Sequence, residues 1–119
     1  MMQYVFLLYD DENDFHSLSP EELGPVMEAW GAYTQEMMDA GAFVAGEPLD
    51  HSKTARRVRV RDGERSVEDG PFADAKEQLG GFYRIEAKDL DEAMKWAAKC
   101  PCASSGRIEI RPVWNIGGA

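Results

Sequence analysis

The sequence is poor in cysteine and has no long apolar run. Its only cysteines, Cys100 and Cys102, are too few for a disulfide framework, and the single residue between them does not match the usual spacing of a structural zinc site. We expect two ordinary thiols at the end of a helix. The apolar N-terminal run, residues 1–9, is too short to span a membrane and lacks the basic flank and the cleavage site of a signal peptide. These absences predict a soluble, cytoplasmic protein.

Basic side chains are also in the minority. Lysine and arginine total 13 against 22 aspartates and glutamates, which gives a formal net charge of −9. A surface this acidic repels phosphate backbones and anionic lipid headgroups, so we expect no nucleic-acid or membrane partner. No cofactor motif is recognisable, and neither a cofactor nor a metal is expected. The length of 119 residues, with 44% hydrophobic residues, suits a single domain over residues 1–119 that buries its own core.

The apolar pattern and the turn signals predict the order strand, helix, strand, hairpin, strand, helix, strand. The first strand covers residues 3–9 and is apolar on both faces. After a polar loop over residues 10–18, a helix begins behind a capping box of Ser19 and Glu22 and ends at Gly41. Its buried face is predicted from residues at helical spacing: Leu23, Val26, Met27, Trp30, Tyr33, Thr34 and Met37.

The second half of the chain carries the hairpin, two further strands and a second helix. A short strand over residues 42–46 precedes the hairpin, in which Asp62-Gly63 joins residues 56–61 to 64–68. The next strand covers residues 81–87. Asp89 caps the second helix, whose apolar stripe comprises Leu90, Ala93, Met94, Ala97 and Cys100. The last strand covers residues 107–114 and places on one face Ile108, Ile110 and Trp114.

The predicted hairpin has two chemically different faces. Valines share one face, and the other carries Arg57, Arg59 and Arg61, opposite a strand that carries Glu64, Glu68 and Arg65. This second face is either a solvated surface with cross-strand ion pairs or a cationic wall for an anionic ligand.

Without the hairpin, the order of elements is that of a ferredoxin-like split βαβ fold, an α+β architecture with an antiparallel sheet. Two helices cover only one face of such a sheet. The first strand is apolar on both faces, and Phe82 points away from Tyr83 and Ile85, so the second face also needs a cover. A second copy of the chain would supply it, and we expect a homodimer packed sheet against sheet.

The stretch over residues 68–83, EDGPFADAKEQLGGFY, connects the hairpin to the strand that follows it. Together with DLDEAMKWAAKCP and IEIRPVW, it resembles the DGPF-motif branch of the YCII-related family over nearly the whole chain. The resemblance implies a ferredoxin-like subunit of the dimeric α/β-barrel superfamily, in a bacterial protein of largely unassigned activity. Members of the branch occur beside sigma factors of the extracytoplasmic type, which implies a regulatory context.

The resemblance does not supply a catalytic mechanism. The better-described part of the family has a His–Asp pair proposed as catalytic, with the His on the first helix. Counted back from Gly41, that position is occupied here by Trp30. The only histidines, His16 and His51, lie in predicted loops, so any chemistry must use other groups.

Candidate site residues lie in and around the DGPF stretch. Asp69 either closes a turn or presents a carboxylate to a cleft as general base or ligand anchor. Asp74, Lys76 and Glu77 follow; Lys76 and Glu77 face different directions, so each either braces the loop or faces the pocket. Arg84, on the face assigned to the dimer, needs a partner, which Asp69, Glu77 or the other subunit would supply.

Two aromatic residues and one histidine complete the candidates. Trp30 and Tyr33 are either core residues or a ligand platform. His51 is expected to be solvent-exposed, and because histidine titrates near neutral pH it is a candidate for acid–base work.

Two functions follow from these residues. The first is a dimeric protein that binds a small molecule in a cleft near the DGPF loop and the dimer interface, with a regulatory protein as a further partner. The second is a cofactor-free acid–base enzyme of hydrolase, lyase or isomerase type, with Asp69 or Glu77 as general base and Lys76 or Arg84 as electrostatic stabiliser.

Overall fold

The structure is a computed structural model and describes residues 1–72 and 76–117. Its regular elements are β1 (Met2–Asp10), α1 (Glu12–His16), α2 (Pro20–Asp39), β2 (Phe43–Pro48), β3 (Arg56–Arg61), β4 (Glu64–Asp69), β5 (Gln78–Ala87), α3 (Leu90–Ala98) and β6 (Arg107–Pro112), with 3₁₀ turns at Ser52–Thr54 and Pro101–Ala103. The predicted order of strands and of the two main helices is confirmed. Asp74, one of the candidate charges, lies outside the described residues.

The prediction of a loop over residues 10–18 was wrong, because α1 forms there. Asp11 caps this helix: its carboxylate accepts hydrogen bonds from the backbone N–H groups of Asn13 and Asp14. Two acidic residues in the first turn, Glu12 and Asp14, also suit the positive end of the helix dipole.

Four strands form one antiparallel sheet in the order β2-β5-β1-β6. Strand β1 therefore lies inside the sheet, between β5 and β6, which are the third and fourth strands of the split βαβ pattern. Strands β3 and β4 form a separate two-stranded sheet. The fold is thus α+β and ferredoxin-like with an inserted hairpin, as the sequence predicts.

One face of the four-stranded sheet forms the core with α2 and α3. From β1 it buries Tyr4, Phe6 and Leu8, and the paired residues of β5 include Ile85 and Tyr83. From the helices it buries Tyr33, Met37, Ala93 and Ala97, and beside them lie the two free thiols of Cys100 and Cys102. Their Sγ atoms lie 3.8 Å apart just beyond the end of α3, and the expectation of ordinary thiols stays a prediction.

The ends of α2 form as the sequence predicts. Ser19 and Glu22 make the reciprocal capping box, and the hydrogen bond to the Ser19 backbone N–H lowers the pKa of Glu22. At the other end, Gly41 has φ +73°, and the N–H groups of Gly41 and Ala42 bond back to Met38 and Met37. This is a Schellman motif, which needs the left-handed conformation that glycine adopts without strain.

Four predicted core positions are exposed, and one of them is Met27 on α2, which is 50% exposed. Leu90 and Met94 on α3 are both 45% exposed, and Trp96 packs against the core from the same helix instead. Trp114 is 82% exposed, because β6 ends at Pro112 and the residues beyond it leave the sheet.

The other face of the sheet, called here the open face, carries Val5, Leu7 and Tyr9 of β1 and Phe82 of β5. These four side chains are half-buried, whereas their neighbours on the core face are buried. The hairpin of β3 and β4, residues 56–69, is called the hairpin arm. Its turn residues Asp62 and Gly63 both have positive φ, 52° and 78°, as a type I′ turn requires.

No helix among residues 1–72 and 76–117 combines the length and the apolar character needed to cross a membrane.

Candidate ligand-binding cleft

A cleft of about 460 Å³ lies at the end of the main sheet, where the hairpin arm begins. One wall is the segment between β2 and β3, and the other is formed by Phe72 of the DGPF motif and the start of β5. The lining comprises Leu49, Asp50, His51, Ser52, Thr54, Ala55, Phe72, Gln78 and Leu79. Its size is that of a small-molecule site, and its walls combine apolar side chains with a few polar groups.

Backbone hydrogen bonds hold the two walls together. The Leu49 N–H donates to the Gly80 carbonyl oxygen at 2.9 Å, and the Gly70 N–H donates to the Ala55 carbonyl oxygen at 2.8 Å. A Cβ atom at Gly70 would lie 2.6 Å from the Ser52 carbonyl oxygen, closer than real Cβ atoms approach. The DGPF motif therefore packs directly on the Ser52–Thr54 turn, and the glycine of the motif permits that approach.

The Ser52–Thr54 turn is held from its other side by Glu12. The Glu12 carboxylate accepts a hydrogen bond from the Ser52 backbone N–H at 2.9 Å and a second one from the Ser52 hydroxyl. The Glu12 side chain is only 9% exposed, and charge-assisted bonds of this kind are stronger than neutral ones. Helix α1 therefore fixes the position of the cleft wall.

His51 is oriented through both of its ring nitrogens. The Lys53 backbone N–H donates to Nδ1 at 3.1 Å, and Nε2 lies 2.8 Å from Oδ1 of Asn13. Because Nδ1 accepts a hydrogen bond, we assign the neutral tautomer with the proton on Nε2, which donates to Asn13. Glu12 Oε1 lies 3.5 Å from Nδ1, beyond the usual hydrogen-bond range, and does not change this assignment.

His51 was predicted to be solvent-exposed, and this was wrong. Its side chain is 17% exposed, because Glu12 and Asn13 of α1 and the ring of His16, at a centroid distance of 5.4 Å, lie beside it. The ring nevertheless borders the cleft. Of the candidate site residues that the structure describes, His51 is the one in the cleft lining.

Phe72 links the cleft to the hairpin arm. The Arg57 guanidinium lies over the Phe72 ring, 4.6 Å from its centroid, and also pairs with Glu68 across the hairpin at 2.6 Å. The hydrogen bond from Arg57 lowers the pKa of the exposed Glu68 carboxyl. Cross-strand pairing on the arginine face is thus observed at one position, and the same arginine covers the aromatic wall of the cleft.

The carboxylates predicted as catalytic are both in ion pairs with arginine. Asp69 pairs with Arg56 at 3.0 Å, and its side chain is 78% exposed. Glu77 pairs with Arg107. The Arg107 guanidinium also lies 4.4 Å from the centroid of the Tyr9 ring on the open face. Neither carboxylate is in the lining of the cleft described above.

The remaining candidates lie apart from the cleft. Arg84 is exposed on the open face, and its Nε donates to the Gln3 side-chain oxygen at 2.7 Å, so its partner is a neutral amide on β1 rather than Asp69 or Glu77. Lys76 is exposed.

Trp30 belongs to the packing around the core. Its ring stacks on Tyr83 with centroids 6.3 Å apart and planes 19° apart. The Tyr83 hydroxyl lies 2.7 Å from Thr34 Oγ1. Burial raises the pKa of Tyr83 and, more strongly, that of Tyr33. Both phenols therefore stay neutral inside the core.

Three residues that support the cleft wall were not among the predicted site residues: Glu12, Asn13 and Ser52. Glu12 lies 40 positions from its partner Ser52, and Asn13 lies 38 positions from its partner His51. A signal for α1 was present, because Asp11 followed by acidic residues is a typical start of a helix. Nothing in the sequence pairs that helix with Ser52.

A second cavity of about 470 Å³ lies beside α3. Its lining is Met1, Ala40, Ala42, Glu86, Glu92, Lys95, Trp96 and Lys99. Long charged side chains contribute much of this surface, and Lys99 is engaged by Glu36 and the Trp96 ring. Within the described ranges, 1–72 and 76–117, no group of three or more His, Cys, Asp or Glu side chains is placed to hold a metal ion.

The fold defines a small ferredoxin-like α+β protein, and comparison with known proteins gives its family. A model of the YCII-related domain matches residues 2–116. Over 114 residues the chain is 39% identical to "Uncharacterized protein R00369" of Rhizobium meliloti (strain 1021), with 94% of this chain and 92% of that protein covered. The chain belongs to the YCII-related domain family, which confirms the family that the sequence resembles.

Among solved structures, the chain is similar to 5-chloro-2-hydroxyhydroquinone dehydrochlorinase from Burkholderia phenoliruptrix AC1100 in complex with 2,5-dihydroxybenzoquinone. The TM-score is 0.49 and the sequence identity 18%, with 98% of this chain and 97% of that chain covered.

Proposed function

We propose that this protein binds a small organic molecule in the cleft between the Leu49–Ala55 segment and Phe72. The cleft itself is the observation that carries this proposal: a space of about 460 Å³ in which apolar walls and an oriented imidazole converge. The DGPF motif contributes Phe72 to the wall, and its glycine allows the close approach to Ser52. The proposed ligand site is therefore near the DGPF loop, in keeping with the prediction from the sequence.

The lining favours a ligand with an apolar body and one or two hydrogen-bonding groups. Leu49, Phe72 and Leu79 supply apolar surface, and the polar residues of the lining include His51 and Thr54, whose side chains already make hydrogen bonds within the protein. The Arg57 guanidinium over the Phe72 ring brings a positive charge next to this wall. Such a mixture of apolar contact and few polar groups is typical of small-molecule sites.

Binding is favoured over acid–base catalysis by Asp69 or Glu77. A general base must reach the proton it removes, and both carboxylates are engaged by arginine side chains outside the cleft lining. The acid–base enzyme stays the alternative, and retention of turnover in an Asp69→Asn, Glu77→Gln double variant would contradict it.

The proposed molecule is a homodimer in which the open faces of two copies pack together as a dimeric α/β barrel. The half-buried Val5, Leu7, Tyr9 and Phe82 support this proposal, because such an apolar group in the middle of a sheet gains stability when covered. Leu79 pairs with Tyr9 at the edge of this face, so the cleft would lie beside the dimer interface. Membership of the DGPF-motif branch, a regulatory partner and a cytoplasmic location stay predictions from the sequence.

A ligand screen by thermal stabilisation tests the proposed site. The screen uses a library of small aromatic and aliphatic acids, amides and phenols, and compares the wild type with Leu49→Trp. An indole at Leu49, which is 43% exposed, should fill the cleft and abolish stabilisation by the hits.

Leu90→Trp is the matched control, because Leu90 is 45% exposed on α3 and lies outside the cleft lining. We expect it to bind the hits as the wild type does. Hits that stabilise Leu49→Trp and the wild type equally would place the binding site elsewhere and contradict the proposal.

A further inference from the structure

The hairpin arm has an apolar face that is exposed in the single chain. Val58 and Val67 are directly opposite each other in the register, and Val60 follows on the same face. The three valines are 59%, 54% and 58% exposed, respectively, and none of the residues of β3 or β4 is buried. An isolated two-stranded hairpin is only marginally stable in water, so this arm needs a surface to pack against.

The chain as a whole is more extended than a compact domain of its length. The radius of gyration is 16.5 Å, and the extents are 48 × 46 × 18 Å. A compact domain of this length has a radius of gyration of about 13.5 Å. A chain that keeps such an extended shape is typical of a subunit that completes its packing in an assembly.

The charges of the chain indicate a second copy as the occupant. Residues 56–69 carry five arginines and four carboxylates, a net charge of +1, whereas the whole chain carries −9 and the rest of it therefore −10. On the valine face, Arg65 pairs with Val60 in the register and brings a positive charge beside the apolar patch. An arm of this kind is complementary in charge to the body of another copy.

The area needed for a stable dimer also requires the arm. At about 4.8 Å between strands and about 3.3 Å per residue, the open face of the four-stranded sheet spans roughly 400 Å² and the arm roughly 200 Å². Two open faces alone bury roughly 800 Å², the size of a crystal-packing contact. With two arms added, each covering an equal area on the other copy, the sum reaches roughly 1,600 Å², the size of a standard specific interface.

We infer that the hairpin arm is a clasp that docks, through Val58, Val60 and Val67, on the body of a second copy of this chain. The inference depends on the dimer in the proposed function and is independent of the ligand in the cleft. Because Arg57 of the arm covers Phe72, the clasp also connects dimer formation with the wall of the cleft.

Sedimentation velocity over a dilution series tests the clasp with the full-length chain. The Val58→Ser, Val67→Ser double variant converts one cross-strand pair to Ser–Ser, and we expect its dimer dissociation constant to rise at least tenfold. The matched control is Arg59→Ser, because Arg59 faces Ser66 on the opposite face and the change also leaves a Ser–Ser pair. We expect this control to stay within about twofold of the wild type, in keeping with the small contribution of exposed charges.

A second measurement covers the case in which the double variant unfolds the arm. In a Val60→Cys variant, the rate of modification by a thiol reagent should fall at least fivefold when the protein is concentrated above its dimer dissociation constant. Arg59→Cys is the control on the other face, and the native thiols of Cys100 and Cys102 are both only 3% exposed.

The two proposals fail in different ways. A wild type that is monomeric at every concentration overturns both the dimer and the clasp. A dimer whose dissociation constant is the same in the wild type and the double variant, or a Val60→Cys thiol that reacts equally fast at low and high concentration, overturns the clasp alone.

Discussion

The phenol of Tyr33 lies 4% exposed between α2 and the sheet, and its hydroxyl donates to the Trp96 carbonyl oxygen at 2.8 Å. Burial raises its pKa above the ordinary tyrosine value of about 10. Above about pH 10 the Tyr33 phenol loses its proton in the unfolded chain but keeps it in the folded chain, so the free energy of unfolding falls as pH rises.

Tyr33→Phe should therefore flatten the loss of stability at alkaline pH, by up to about 1.4 kcal/mol per pH unit above pH 10. Near neutral pH the same variant should be less stable by about 1 kcal/mol, because the Trp96 carbonyl loses its hydrogen bond. Urea unfolding across this pH range measures both effects. An unchanged alkaline slope would contradict the buried, neutral phenol.

The role of Glu12 can also be tested with a single substitution. Glu12→Gln replaces a carboxylate that accepts two hydrogen bonds from Ser52 by an amide that accepts them more weakly. We expect a loss of about 1–3 kcal/mol in unfolding free energy and faster amide exchange over residues 51–55. Glu28→Gln, at an exposed position on α2, is the control and should change neither. Unchanged exchange at residues 51–55 would mean that Glu12 does not hold the cleft wall.

At the level of elements, the sequence predicted correctly the features that depend on interactions between residues close together in the chain. The capping box, Gly41 and the Asp62-Gly63 turn each act within a few residues, and the elements they delimit formed as predicted. Helix α1 was missed because its five residues are too few for a periodic pattern and its Glu12 acts on a distant turn. The cleft was predicted near the DGPF motif, but its opposite wall depends on that long-range contact.

The contact between the DGPF motif and the Ser52–Thr54 turn gives an element-level prediction. Gly70→Ala would force a Cβ against the Ser52 carbonyl oxygen and Ala55, so the walls must separate. We expect a stability loss of about 1–3 kcal/mol, typical of overpacking, together with loss of the thermal stabilisation by cleft ligands. Gly80→Ala is the control, since its Cβ would have its nearest neighbour at 3.9 Å. Equal ligand responses in the two variants would contradict this packing.

At the scale of the whole molecule, the apolar pattern on both faces of β1 supports the proposed homodimer. The core face of β1 is buried by α2 and α3, and its open face is only half-buried in the single subunit. The sequence predicted this asymmetry correctly, since residues 4, 6 and 8 and residues 5, 7 and 9 are apolar or aromatic on both faces. The sequence could not predict that the valines of the hairpin arm are exposed, because an alternating apolar and polar pattern is also typical of a hairpin that packs on its own domain.

Leu7→Lys tests the open face as the dimer surface. A charge in the middle of a packed sheet pair would be buried without a partner, which costs several kcal/mol, so the dimer dissociation constant should rise by about a hundredfold or more. Light scattering at several concentrations measures this. Leu90→Lys on α3 is the control, and a Leu7→Lys protein that dimerises like the wild type would exclude this face from the interface.

The cleft is the central claim, and residue-level mapping of ligand contacts by NMR tests it most directly. Amide shifts of the wild type would be recorded with a set of small aromatic acids and phenols as probes. We predict perturbations concentrated at residues 49–55, 72, 78 and 79, and their loss in Leu49→Trp but not in Leu90→Trp. Perturbations centred on Trp96 and Lys99, or an absence of any response at residues 49–55, would contradict it.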